Sequence, residues 1–381
     1  MIVAGVMSGT SADGIDVAVV RVFGRQFNLR FELLGHEHFT YPKTVREAVL
    51  KAMNSTRSGV AELSRLNFRL GELYAEAVRK TQERTGTGKL ELIGCHGQTI
   101  YHQGETAFYL GKRIACTWQT GEGSVVATRL RVPVVSDFRP ADMAAGGKGA
   151  PLVPFLDYAA FRNRRVGRIV QNIGGIANLT AIPANAQPDQ VVAFDTGPGN
   201  MVMDQLTQRL FDKPYDRHGE IARHGRILEP LLREFLRLPF LKQKPPKTAG
   251  REQFGQQYLK DFLRRCGKAA KEDIIATATA LTASSIIAAL KNFVLPKAKY
   301  RDYIVSGGGA RNRTLMQMLS AETDNLGLKL RHSDDFGVPS QAKEALAFAL
   351  LAYQTWHRHP SNVPSATGAD RAVVLGKISY V

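Results

Sequence analysis

The segment Phe194-Asp195-Thr196-Gly197-Pro198-Gly199-Asn200 sets a carboxylate at the end of an apolar run, directly before a Gly-Pro-Gly turn. A carboxylate so placed can accept a proton from a nucleophile. Asp is also a frequent helix N-cap. Here three turn residues separate Asp195 from the next helical pattern and Thr196 is the nearer capping candidate, so the chemical role is preferred.

Three glycine turns are spaced along the chain. Met7-Ser8-Gly9-Thr10-Ser11-Ala12-Asp13-Gly14-Ile15-Asp16 lies between two strand-like runs, and its glycines and hydroxyls could aim backbone amides at a phosphate. Asp13 and Asp16 could hold magnesium or touch a sugar hydroxyl; taken alone, the segment reads better as a β-hairpin with Asp-Gly at its tip. Asn172-Ile173-Gly174-Gly175-Ile176-Ala177-Asn178 repeats the arrangement, and Ser306-Gly307-Gly308-Gly309-Ala310-Arg311-Asn312 follows a strand and precedes a helix. Neither a Walker A sequence nor a Rossmann GxGxxG occurs. Three such turns at strand ends favour nucleotide binding over three structural turns.

Two further stretches carry polar chemistry. Ser136-Asp137-Phe138-Arg139-Pro140-Ala141-Asp142 precedes Gly146-Gly147-Lys148-Gly149-Ala150-Pro151. Arg139 could clamp a carboxylate and Asp137 and Asp142 could read hydroxyls, or the stretch could be a salt-bridged linker. His96, in Cys95-His96-Gly97-Gln98, is a ligand candidate or a satisfied structural histidine.

The elements that must position these residues alternate. Strands are expected over 2–7, 15–22 and 29–34, a helix over 61–81, and a short strand over 90–95. A second cycle places strands at 168–172, 179–182 and 190–194, helices at 199–210, 274–290 and 341–354, and a strand at 303–306. Residues 242–250, with Pro245 and Pro246, read as a mobile loop. The repeated strand, glycine turn and strand predict an α/β protein of two related lobes with a cleft between them. The chain has 381 residues, enough for two cores, and its three cysteines suggest neither a disulfide framework nor a metal site. No apolar stretch is read as long enough to cross a bilayer, and no signal peptide is read at the start; a cytoplasmic protein without membrane contact is expected. The net charge of +17 comes from basic residues that are scattered, except in the loop from Lys242 to Arg251, without a nucleic-acid motif, so no nucleic-acid partner is expected.

Together the segments MSGTSADGID, CHGQTIYH, VVSDFRPADMAAGGKGAPLVP, NIGGIANLT, FDTGPGN, PPKTAGREQFG, ATATALTASSI, VSGGGARN and SQAKEALAFALLAY resemble the anhydro-N-acetylmuramic acid kinase family in order, over nearly the whole chain. The resemblance implies two RNase H-like lobes of the actin and sugar-kinase ATPase superfamily, the first comprising 1–140 plus 361–381 and the second 141–360. It implies an ATP-dependent kinase that opens 1,6-anhydro-N-acetylmuramic acid with water and phosphorylates O6, giving N-acetylmuramic acid 6-phosphate in peptidoglycan recycling. Asp195 would be the catalytic base. ATP would meet Ser8, Gly9, Thr10, Ser11, Asp13 and Gly14, then Asn172, Gly174 and Gly175, then Gly307, Gly308, Gly309 and Asn312, with magnesium. His96, Asp137, Arg139 and Glu344 would face the sugar, and a homodimer is expected. Three positions depart from the family pattern: Lys148 stands where Gln is usual, Thr248-Ala249 replaces Ser-Thr, and Ala12 replaces Leu. The alternatives are a kinase of another anhydrosugar such as levoglucosan, an actin-like filament protein, and a nucleic-acid binder.

Overall fold

The computed structural model describes all residues except Thr10, Ser11, Asn54 and Thr56, with the backbone alone described for Arg251. Its strands are β1 (Ile2–Ser8), β2 (Gly14–Phe23), β3 (Arg30–Thr40), β4 (Leu92–Tyr109), β5 (Lys112–Thr120), β6 (Val134–Ser136), β7 (Arg168–Ile173), β8 (Ile176–Ile182), β9 (Val192–Pro198), β10 (Asp302–Ser306), β11 (Lys329–His332) and β12 (Lys377–Ser379). They form two sheets, and the chain divides into a unit of residues 1–160 with 342–381 and a unit of residues 161–341.

In the first unit, β1, β2 and β3 form an antiparallel meander, and β4 then β6 continue parallel to β1 on its other side. The core includes Val6, Val17, Val19, Tyr74, Val78 and Ile93. The helix Val60–Thr85 supplies its apolar stripe, with Leu66, Leu70, Leu73 and Ala77 buried at helical spacing. The helix Lys343–Trp356 lies so close to the sheet that Cβ atoms on Gly5 and Gly94 would collide with the Ala345 and Phe348 carbonyls. In the second unit, β7, β8 and β9 form the meander, with β10 and β11 parallel to β7 on the other side. The order β3-β2-β1-β4-β6 thus recurs as β9-β8-β7-β10-β11.

Several elements differ from the sequence expectation. The division falls at 160/161 and 341/342, whereas 140/141 and 360/361 had been expected. The helices Pro154–Phe161 and Lys343–Trp356 are joined by the buried Asp157–Lys343 ion pair at 2.8 Å, and Phe155 and Tyr158 pack on Phe27, which ties both helices to the first unit. β4 runs to Tyr109 rather than stopping at Cys95, because Gly97 (φ +81°) and two register shifts let it keep pairing with β5 through a polar stretch that hides the strand pattern. The helix Lys271–Val294 contains an 18-residue window with a mean hydropathy of 1.6 and is long and apolar enough to span a bilayer, contrary to the expectation. Of that window, 83% is buried inside the protein, which accounts for its composition.

Candidate active site

Asp195 lies within β9, not at its end. Ala177 pairs with Gly197 and Asn178 with Asp195, so Thr196 is an extra residue in a bulge. Gly197 has φ +153°, and a Cβ there would stand 2.7 Å from the Ser285 hydroxyl oxygen, which is why glycine closes the bulge. Thr196 is buried and donates to the Ala177 carbonyl at 3.1 Å. Gly199 occupies the N-cap of the helix Asn200–Phe211 without a side-chain bond, so neither Asp195 nor Thr196 caps it.

The carboxylate is held on one side. Its Oδ2 accepts from the Ala249 amide at 2.7 Å, and the Asp195 amide donates to the Lys247 carbonyl at 3.0 Å. Among the described residues Oδ1 has no protein donor. Burial pushes the Asp195 carboxyl up to about 7, the Ala249 amide and Lys247 pull it down, and Glu252 adds a smaller upward push. Residues 243–250 form no helix or strand, but Lys247 and Ala249 tie this loop to the edge strand at Asp195, and Lys247 is buried. Its ammonium donates to the carbonyls of Phe240 at 3.0 Å and Leu241 at 3.2 Å. It stands 4.7 Å from the Phe240 ring centre, 5.1 Å from Phe293 and 5.8 Å from Phe194. Nothing in a Pro- and Lys-rich stretch marks this residue; only the three distant rings reveal it.

Three motifs of the second unit converge. The Gly174 carbonyl accepts from the Asn200 amide at 2.7 Å, and the Gly175 carbonyl accepts from those of Gly199 and Met201 at 3.0 Å each. The β7–β8 turn is thereby docked on the helix start. The Asn200 side chain donates to the Ile173 carbonyl at 3.2 Å. A Cβ on Gly307 (φ +87°) would stand 2.6 Å from Asn172 Oδ1, one on Gly308 would stand 3.3 Å from Asn200 Nδ2, and one on Gly309 would collide with Ile173. Asn172, Gly174, Gly175 and Gly307–Gly309 are thus brought together around Asn200, which the motif analysis had not singled out. Beside them is a cavity of about 460 Å³ lined by Asn200, Asp204, Tyr215, His218, Gly308 and Arg311 among others. Asn312 also lines it, but Asn312 Oδ1 accepts from the Leu315 amide at 3.0 Å as a helix cap. Asp204, one helical turn beyond Asn200, was not predicted; burial, aided by Asp216, raises its carboxyl to about 7.

In the first unit the loop after β1 is pinned from below. Ser8 is buried, and its hydroxyl contacts the Gly14 carbonyl at 3.0 Å, Tyr41 at 2.6 Å and Gln98 Oε1 at 2.7 Å. Its hydroxyl therefore anchors the end of β1 to Gly14, Tyr41 and Gln98. The Gly9 carbonyl accepts from Gln98 at 3.0 Å; Gly14 opens β2 against the Phe39 carbonyl, and Asp13 is exposed. Thr10 and Ser11 lie outside the described residues. Asp16 bonds both His36 and His38 at 3.1 Å.

Arg139 Nε donates to His96 Nε2 at 2.9 Å and its Nη1 to the Gly149 carbonyl at 2.8 Å. Because the guanidinium only donates, His96 Nε2 is the acceptor and Nδ1 carries the proton, which goes to the Gly97 carbonyl at 2.7 Å. Burial and the Arg139 cation hold His96 well below the usual histidine range. With both nitrogens engaged, neutral His96 orients Arg139. Burial lowers Arg139 to about 10, while Glu344 pulls it up. Glu344 is exposed by surface area yet surrounded by protein, and desolvation raises its carboxyl while Arg139 lowers it. Asp137 pairs with Lys377 at 3.1 Å. Asp142 is fully buried and accepts from the Gly149 amide at 2.8 Å, Asn362 at 2.8 Å and Thr367 at 2.7 Å. It shapes the glycine-rich loop instead of reading a substrate hydroxyl. Lys148 pairs with Glu105 at 2.5 Å. No group of three or more His, Cys, Asp or Glu able to hold a metal is present among the described residues.

A family model described as anhydro-N-acetylmuramic acid kinase matches residues 1–381. A relative of that name from Bacillus cereus strain AH187 is 45% identical over 382 residues, covering 100% of this chain and 99% of the relative. Another, from Bacillus cereus strain AH820, is 46% identical over 383 residues with the same coverage. Among solved structures, an activator of 2-hydroxyisocaproyl-CoA dehydratase from Clostridium difficile with bound ADPNP is 12% identical, covers 93% of this chain and 95% of its own, and has a TM-score of 0.43. A ROK hexokinase from Thermus thermophilus is 14% identical with 93% and 99% coverage and a TM-score of 0.39.

Proposed function

The chain belongs to the anhydro-N-acetylmuramic acid kinase family, and from that membership we propose its reaction and the residues that carry it. The enzyme is a kinase. With ATP it opens the 1,6-anhydro bridge of 1,6-anhydro-N-acetylmuramic acid and phosphorylates O6, giving N-acetylmuramic acid 6-phosphate and ADP. Asp195 takes a proton from the water that attacks the anomeric carbon; the bridge oxygen leaves as O6 and bonds to the γ-phosphorus, and the bond to ADP breaks. The observation that carries this reading is the Asp195 carboxylate itself. Its Oδ2 is fixed by the Ala249 amide, Oδ1 is without a protein donor among the described residues, and burial tunes it to about 7, where a general base works best at neutral pH.

The β7–β8 turn and Gly307–Gly309 converge on Asn200 beside the cavity, which supports phosphates at the Gly174–Gly175 amides and adenosine against Gly308. In the first unit, Arg139 keeps Nη2 unspent among the described residues beside Glu344, which supports a role on the acidic lactyl group. With no metal cage among the described residues, magnesium fits as an ion carried largely by the nucleotide phosphates, where it neutralises charge. We expect a cytoplasmic homodimer acting in peptidoglycan recycling.

The test is incubation with ATP, magnesium and either 1,6-anhydro-N-acetylmuramic acid or levoglucosan, followed by mass spectrometry. A ring-opened 6-phosphate from the first sugar is expected. Turnover of levoglucosan alone would move the substrate assignment to a plain anhydrosugar, and no phosphorylated product from either would sink the reading.

A further inference from the structure

We propose that Lys247 is a positioning residue whose buried ammonium, held by three phenyl rings and two carbonyls, fixes residues 240–249 along β9 and keeps the Asp195 carboxylate charged and correctly turned. This rests on Asp195 being the base.

The argument begins with cost. Lys247 is 2% exposed, and a buried ammonium is unfavourable unless its donors and charge are met. Here two donors go to the Phe240 and Leu241 carbonyls, which belong to the short helix Pro239–Lys242, and the charge faces the rings of Phe240, Phe293 and Phe194. Cation–aromatic attraction grows when water is excluded. Phe194 immediately precedes Asp195, and its ring is buried in the core of the second unit. The ammonium thus grips β9 from the core side. The backbone of the same residue grips it along the edge, where the Lys247 carbonyl accepts from the Asp195 amide and, two residues on, the Ala249 amide donates to Asp195 Oδ2.

An apolar side chain would fill the aromatic box at lower desolvation cost. What it cannot supply is positive charge near Asp195 or the hydrogen bonds to the two carbonyls. Among the described residues the charged groups acting on Asp195 are Lys247, which favours the carboxylate, and Glu252, which opposes it; the one acting on Lys247 is Asp195. Burial also brings Lys247 itself down to about 8, so its charge is present at neutral pH and fades above that.

The experiment compares full-length wild type, Lys247→Met and Lys247→Arg for kcat and KM over pH 5.5–9, with thermal melts to verify folding. Lys247→Met keeps length and fills the box. Losing a nearby cation moves a carboxylate up by roughly one unit. The acidic limb of its kcat profile is therefore expected to move up by that amount, giving about tenfold lower kcat near pH 6, with the loss closing towards pH 9 and the KM values for ATP and sugar nearly unchanged. Lys247→Arg, which keeps the charge, should hold the wild-type limb even if its overall rate drops. A folded Lys247→Met enzyme with an unshifted limb, whether its rate is intact or lowered equally at every pH, overturns the proposal. An active Asp195→Asn enzyme would instead overturn the base assignment beneath it, so the two failures are distinguishable.

Discussion

At the scale of single residues, the bulge at Thr196 turns a strand position into a site. Asp195→Asn preserves shape and removes the proton acceptor, so kcat should fall by about 10²–10⁴-fold while ATP and sugar still bind. Near-normal turnover in that variant, measured by product formation, would eliminate the assignment. The wild-type rate should rise as pH passes about 7, because the base works when deprotonated and burial holds its carboxyl there. Arg139 presents a narrower contact than a free guanidinium fork, since Nε is given to His96 and Nη1 to Gly149. Arg139→Ala should therefore weaken use of the lactyl-bearing sugar by about tenfold, the low end for a charge-assisted bond, and should spare an uncharged anhydrosugar. Equal loss on both sugars would leave Arg139 a structural role alone.

At the scale of elements, the turn after β10 shows how neighbouring glycines serve different ends. A Cβ on Gly309 collides with Ile173, a core residue, whereas one on Gly308 meets only the Asn200 amide nitrogen, at 3.3 Å, beside the cavity. Gly309→Ala should thus lower stability by about 1–3 kcal/mol in denaturant melts, the usual cost of overpacking. Gly308→Val should leave stability nearly intact and raise KM for ATP more than KM for sugar, because its side chain occupies the face assigned to the ring. A rise confined to the sugar KM would remove Gly308 from the nucleotide site.

At the scale of the molecule, each unit is a meander of three strands with two more parallel to its first strand, the helices packing on the sheet. The first unit is assembled from distant stretches of chain, and buried Asp142 links the loop before Gly149 to Asn362 and Thr367. Stability should carry the mark of a second buried carboxyl. Asp204 has its folded value raised from 3.8 to about 7. A group shifted this way favours the fold when protonated, so its contribution is full below about pH 4 and is lost as pH rises through 7. Asp204→Asn removes that penalty. Its gain in stability over wild type should be near zero at pH 4 and reach about 1–3 kcal/mol by pH 8, discounted for its partial exposure. A gain that does not change with pH would contradict the shift.

Local chemistry was legible in the chain because local rules govern it. Glycines between apolar runs must turn, apolar residues at helical spacing must face a core, and Asp195 before Gly-Pro-Gly stands out by its neighbours alone. The motifs in their order identified the family and, through the repeated strand and glycine turn, two related α/β units. What needed three dimensions was every role set by a distant partner. The side chains of Ser8 and Asp142 found distant partners in Gln98, Asn362 and Thr367 that no local pattern announces. His96 became an orienting group through Arg139, 43 residues away in sequence. Lys247, in a stretch that reads as a loose basic loop, is buried because Phe194, Phe240 and Phe293 meet around it. Sequence spacing encodes which way a side chain points along its own element; whether that side chain finds solvent, a ligand or a partner depends on packing between elements, which spacing does not record.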